Sequence, residues 1–150
     1  MELILWRHAD AEDGTNDLNR KLTKKGIRQA ADMGAWLRTR LPDPWKIVTS
    51  PAVRAIQTAK SLSTDMEITK EIAPGADHHA ILSAANWPYS SLGVVLVGHQ
   101  PTLGDAVGYL LGSKYPQLAF PKSSIFWFSN QSTYNGNQLV LRSVMRPDLL

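Results

Sequence analysis

Cysteine is absent from this 150-residue chain. That excludes disulfides, a thiolate nucleophile and any cysteine-ligated metal. The four histidines, His8, His78, His79 and His99, show no His-x-x-x-His or similar ligand spacing, so no metal site is expected. No apolar run approaches the length of a membrane span. The start, Met1-Glu2, lacks the basic residues and long apolar stretch of a signal segment. A cytosolic protein without a membrane contact is therefore expected. Excess charge is scarce: 16 Lys and Arg against 13 Asp and Glu give +3, which admits an anionic substrate without demanding nucleic acid. No basic stripe interleaved with aromatics occurs, so nucleic acid is not the expected partner. Arg20-Lys21 and Lys24-Lys25 read as a solvated surface near a helix start. Repeats, linkers and low-complexity segments are also missing, and residues 1–150 read as a single domain. Its hydrophobic content of 43% is that of a globular protein.

What is present begins with Leu3-Ile4-Leu5-Trp6-Arg7-His8. A short, unbroken apolar run of this kind reads as an interior strand, and it ends abruptly on a cation and an imidazole. The pattern of strand, turn and helix then occurs three times. After the strand Glu2 to Arg7 comes a polar loop, Asp10 to Arg20. Thr23 caps a helix in which Ile27, Ala30, Ala31, Gly34, Leu37 and Leu41 form the apolar face, and Pro42-Asp43-Pro44 stops it. Trp45 to Thr49 is the second strand. Ser50 as N-cap and Pro51 at the first helical position open the next helix, packed through Ala52, Ala55, Ile56, Ala59 and Leu62.

Met66 to Ile68 reads as a short edge strand and Ile81 to Ala85 as a short helix. The third unit runs from the strand Gly93 to Val97 through Gly98-His99-Gln100-Pro101 to a helix lined by Leu103, Val107, Leu110 and Leu111. Ile125 to Ser129 and Leu139 to Met145 flank Tyr134-Asn135-Gly136-Asn137, the pattern of an antiparallel hairpin. Phe120, Phe126, Trp127 and Phe128 read as packing for the core and that hairpin. The fold expected is a three-layer α/β/α sandwich with a mostly parallel central sheet and at least one antiparallel strand.

The three strand-to-helix turns carry Arg7-His8, Ser50 to Arg54, and Gly98-His99. Ligands of open α/β sheets bind beyond the carboxyl ends of the strands, so these residues should converge on one rim. Any one of them alone has a structural explanation: Arg7 paired with Asp10 or Glu12, His8 a hydrogen-bonded core histidine. Together they do not, because guanidinium groups buried among strand ends need an anion. Guanidinium forks and helix N-termini match the oxygens of a phosphoryl dianion.

These same segments carry a resemblance. Leu5-Trp6-Arg7-His8-Ala9 resembles the opening Arg-His-Gly motif of the histidine phosphatase superfamily, with Ala9 in place of the usual glycine. Leu22-Thr23-Lys24-Lys25-Gly26-Ile27-Arg28-Gln29-Ala30 is similar to that family's Leu-Thr-x-x-Gly-x-x-Gln-Ala segment, and Ser50 to Ala59 to its Ser-Pro-x-x-Arg-Ala-x-Gln-Thr-Ala element. Val97-Gly98-His99-Gln100-Pro101 resembles its second histidine motif. The compact length and the His8-Ala9-Asp10-Ala11 opening are most similar to the short SixA-type phosphohistidine phosphatases, within the phosphoglycerate mutase-like fold. The resemblance implies that His8, kept neutral by neighbouring cations, is a nucleophile that becomes transiently phosphorylated. It also implies that Arg7, Arg54 and His99 bind the phosphoryl oxygens without a metal or other cofactor.

Relatives acting on sugar phosphates use a glutamate after the Arg54-type helix as general acid. Glu71 occupies about that place without the surrounding motif, and Asp10, Asp77, His78 and His79 are alternatives. An imidazole leaving group, with a conjugate-acid pKa of about 6.5, has little need of such an acid. The chain also lacks a long insertion between Ile68 and Gly93 that could roof the pocket. Both points favour phosphohistidine on a protein as substrate. A small phosphoester, or phosphate recognition without turnover, are the other readings. Asp77-His78-His79 itself reads as a surface loop, since neighbouring side chains on a regular element point apart.

Overall fold

The computed structural model describes residues 1–114 and 118–150. Six strands form one sheet: β1 (Glu2–Arg7), β2 (Trp45–Thr49), β3 (Glu67–Ile68), β4 (Gly93–Gly98), β5 (Ile125–Thr133) and β6 (Gly136–Met145). Their order across the sheet is β3-β2-β4-β1-β5-β6. The pairings β2–β3, β2–β4 and β1–β4 are parallel, whereas β5 runs antiparallel to both β1 and β6. The helices are α1 (Lys24–Arg38), α2 (Val53–Lys60), α3 (His78–Ala84) and α4 (Thr102–Leu110).

The unbroken apolar runs of β1 and β4 follow from burial on both faces. Leu3, Leu5, Val94 and Leu96 pack with Ile81 and Leu82 of α3 and with Leu103 and Val107 of α4. The alternate residues Ile4, Trp6, Val95 and Val97 pack on the other face with Met33 and Leu37 of α1 and with Ala55 and Ala59 of α2. The result is the three-layer sandwich expected from the sequence. Phe120 and Phe128 are buried in the α3/α4 layer, and the Phe120 and Phe126 ring centroids lie 4.8 Å apart. Among the described residues no helix is long and apolar enough to cross a membrane.

Register brings the strand ends level. Arg7 pairs with Gly98, and both Trp6 and Thr49 pair with Val97. The ladder continues one residue past each end, with His8 N donating to Gly98 O (3.0 Å) and Ser50 N to Val97 O (3.1 Å). The three turns are thereby held side by side.

Several local expectations need correction. On α1 the inward stripe is Gly26, Ala30, Met33, Gly34 and Leu37. Ile27 is 57% exposed and Ala31 faces solvent, because the buried stripe lies one position round the helix from the one read from the sequence. The stripe is set by close approach: a Cβ on Gly26 would sit 1.9 Å from Asp10 O. Helix α2 starts at Val53 with Ala52 at its N-cap, two residues later than the Ser-Pro signal suggests. The Ser50 hydroxyl still accepts from Ala52 N (3.2 Å), but its other contact is with the site. Leu111 lies past the end of α4 and is 45% exposed. His78 and His79 form the first turn of α3, capped by Asp77, which accepts from Ala80 N (2.9 Å). Their ring centroids are 4.1 Å apart and both rings pack near Tyr109, so the two side chains meet on the protein surface instead of diverging.

Candidate active site

His8, Arg54 and His99 are 5%, 4% and 4% exposed, and they meet at the rim formed by the ends of β1, β2 and β4. One guanidinium joins them. Arg54 Nε donates to His8 Nε2 (3.2 Å), and Arg54 Nη2 lies 3.3 Å from His99 Nδ1. The two imidazole centroids are 5.2 Å apart.

The partners of each ring set its tautomer. His8 Nδ1 is 2.7 Å from Ala9 O, which can only accept, so Nδ1 carries the hydrogen and Nε2 presents its lone pair. His99 Nδ1 accepts from Arg54, while His99 Nε2 lies 2.7 Å from Ser50 Oγ. Burial, opposed by the Ala9 carbonyl and reinforced by His99 and Arg54, pushes the His8 pKa down to about 3. Burial, then Arg54, pushes His99 down to about 4. Both rings are therefore neutral at pH 7. A neutral imidazole is the form that can act as a nucleophile or take up a proton.

The same shifts bear on stability. The unfolded chain takes up protons on these histidines below about pH 6.5, whereas the folded site resists them until the pH approaches about 4 and about 3. Stability present above the unfolded pKa is therefore lost as the pH falls through that window. Between pH 7 and pH 5 each histidine is expected to remove about 2 kcal/mol of unfolding free energy. Urea unfolding at the two pH values measures this. A midpoint that does not move on acidification contradicts it, and His99→Ala should flatten the response.

Arg7 flanks the pair. Its Nη1 donates to Phe120 O (2.5 Å), and among the described residues its buried Nε has no hydrogen-bond partner. The acidic partner considered from sequence, Asp10 or Glu12, does not hold it: Asp10 accepts from Thr23 Oγ1 (2.8 Å) and faces Lys122 (3.6 Å). An orphaned guanidinium donor beside a neutral imidazole is suited to an anion.

Side chains from the recognised motifs fix the backbone around the site. Thr58 Oγ1 accepts from Ala9 N (3.0 Å), Gln29 Oε1 from Asp10 N (3.0 Å), and Gln57 Oε1 from Leu22 N (2.8 Å). Three participants escaped the sequence reading. Asp17, in a 3-10 turn at Asp17–Asn19, takes Arg54 Nη1 on its carbonyl (2.6 Å) and Arg54 Nη2 on its carboxylate (3.1 Å). Hydrogen bonds from Arg20 and then Arg54 hold that carboxyl below its ordinary range. Ser50, read as a helix cap, instead orients His99. The Phe120–Ser124 segment supplies the Phe120 carbonyl, and Ser123 N donates to His8 O (3.2 Å). Asp17 sits in an aperiodic polar loop where its spacing carries no signal. Glu71 lies exposed in a 3-10 turn, Lys70–Ile72, and among the described residues no hydrogen bond or ion pair ties it to His8, Arg54 or His99.

Known proteins resemble this chain in sequence and in fold. The profile of the Histidine phosphatase superfamily (branch 1) matches residues 3–77. A phosphohistidine phosphatase SixA homolog of Haemophilus influenzae is 29% identical over 150 residues, covering 88% of this chain and 92% of that protein. Phosphohistidine phosphatase SixA of Escherichia coli is 27% identical over 146 residues, covering 91% and 89%. The fold superposes on a structure of the protein histidine phosphatase SixA complexed with tungstate at a TM-score of 0.78, with 24% identity and 99% coverage of both chains. The match spans the turn bearing Arg7 and His8 and the one bearing Arg54, and the chain belongs to branch 1 of the histidine phosphatase superfamily.

Proposed function

We propose that this protein is a phosphatase that removes the phosphoryl group from phosphohistidine on a protein, by way of a covalent intermediate on His8. The observation carrying the reading is the single Arg54 guanidinium held between His8 Nε2 and His99 Nδ1. One cation shared between the two imidazoles is what supports reading His8 as the nucleophile and His99 as an oxygen-binding group on the same phosphoryl group. The names of the SixA relatives support the substrate class.

In this reading the phosphoryl group binds against Arg7, Arg54 and His99. The dianion raises the His99 pKa, and the imidazolium so formed donates from Nδ1, the nitrogen that otherwise accepts from Arg54. His8 Nε2 then attacks phosphorus as the substrate's N–P bond breaks; the substrate ring, protonated on its other nitrogen, leaves as neutral imidazole, and phospho-His8 keeps its Nδ1 hydrogen. Water attacks the phospho-His8, the His8 N–P bond breaks, and orthophosphate leaves with His8 neutral again.

Asp17 is ill suited to protonate a leaving group, because its arginines hold it ionised. An imidazole leaving group, with a conjugate-acid pKa of about 6.5, needs no carboxylic acid, so the reading requires no part for Glu71. Leaving-group dependence tests it. Turnover of phosphoramidate and of a phosphohistidine peptide is expected to exceed that of an alkyl phosphate by about 10²-fold or more, the usual worth of a positioned general acid that the ester would lack. Equal rates on the alkyl phosphate and the phosphohistidine peptide would overturn the substrate assignment in favour of a small phosphoester.

A further inference from the structure

Close to His8 in the chain, Asp10 lines a surface cleft of about 480 Å³. Asp10 is two residues beyond His8, so their Cα atoms are at most about 7 Å apart. One wall is α1, through Lys25, Arg28 and Asp32, and the others are Lys122 and the Arg146–Asp148 turn.

The charges here are unequally matched. Lys122 faces Asp10 at 3.6 Å, and Arg146 is paired with Asp148 at 2.5 Å. Among the described residues, Lys25 and Arg28 make no ion pair, and neither do the neighbouring Lys21 and Lys24; all four are exposed. Asp32 is the carboxylate left to set against them in the cleft. Their position is also unfavourable for the helix. Helix α1 opens on Lys24-Lys25 with no acidic residue in its first turn, where the partial positive charge of the helix end disfavours cations. The turn is nevertheless held firmly against the site, since Thr23 Oγ1 accepts from Gly26 N (2.9 Å) and donates to Asp10 (2.8 Å). A local conflict of this kind, adjoining a reactive centre, is where function overrides stability.

We propose that the cleft receives an acidic segment of a protein substrate, with Lys25 and Arg28 meeting carboxylates that flank the phosphorylated histidine while its phosphoryl group lies at His8. The inference rests on the phosphohistidine-protein reading above.

Two synthetic peptides test it, each with a central phosphohistidine, one flanked by glutamates and the other by glutamines at the same places. Phosphoramidate serves as a third substrate. At low ionic strength the glutamate peptide should be preferred by about two- to thirtyfold in kcat/KM, the range of two exposed ion pairs. Lys25→Glu with Arg28→Glu should abolish or invert the preference and leave phosphoramidate turnover unchanged. Lys25→Gln with Arg28→Gln should fall between, and about 0.5 M salt should erase the preference by screening. The proposal is overturned if the unaltered chain treats the peptides alike, or if the preference survives charge reversal. Should the charge-reversed chain also lose phosphoramidate turnover, the glutamine pair decides by the same criterion. Turnover of phosphoramidate with neither peptide accepted overturns the protein-substrate reading and this proposal together. No turnover of any substrate overturns the phosphatase reading itself.

Discussion

The His8→Ala protein is expected to lose turnover by on the order of 10⁴-fold or more, the scale on which removing a nucleophile acts. The buried Nε2, whose lone pair accepts from Arg54 Nε while its Nδ1–H is tied to Ala9 O, has no substitute among the described residues of the site. His99 presents its Nδ1 to the same guanidinium, but its other nitrogen is committed to Ser50, and the account gives it oxygen binding in place of attack. Phosphate binding should persist in His8→Ala, because Arg7, Arg54 and His99 remain. Kinetics on phosphoramidate and calorimetric titration with inorganic phosphate separate the two effects. Loss of binding together with turnover would mean that His8 holds the site together more than it reacts.

Replacing Arg54 is the second large effect. Its Nε, Nη1 and Nη2 reach His8, the Asp17 carbonyl, the Asp17 carboxylate and His99 at 2.6 to 3.3 Å. Arg54→Ala should lower kcat/KM by about 10²- to 10³-fold, the loss typical of one electrostatic donor to a transition state. It also removes one of the two arginines on the Asp17 carboxylate, leaving Arg20, so weaker neutralisation of that charge should raise KM as well as lower kcat. Arg54→Lys should restore little, because one ammonium cannot span His8, His99 and Asp17 as a planar fork does. Steady-state kinetics with kcat and KM resolved checks both variants. A lysine variant of near-normal rate would show that charge alone is needed there.

Much of this arrangement was legible in the chain. The run Leu3 to Trp6 is apolar at every position because both faces of β1 are covered, and its abrupt end at Arg7-His8 marks the rim of the sheet. Trp45 to Thr49 and Gly93 to Val97 obey the same rule, so the convergence of Arg54 and His99 with His8 followed from topology. The less legible parts depend on contacts between distant segments. Ser50 looks like a helix cap because serine before proline commonly is one, yet its hydroxyl is drawn to His99, 49 residues away. Asp17 and the Phe120 carbonyl lie in loops with no periodicity, and a backbone oxygen has no sequence signature. Ile27 faces solvent because the approach of α1 to Asp10 demands a glycine, Gly26, at the contact. His78 and His79 meet because Tyr109 of α4 packs beside both rings, a contact between helices that local spacing does not encode.

The central claim is a covalent bond between phosphorus and His8. It is tested most directly by mixing the protein with phosphorus-labelled phosphoramidate, quenching rapidly in alkali and mapping the label. The account predicts an acid-labile, base-stable label on the peptide bearing His8, absent from His8→Ala. Turnover without any such label under fast mixing, or a label on His99 instead, would contradict it.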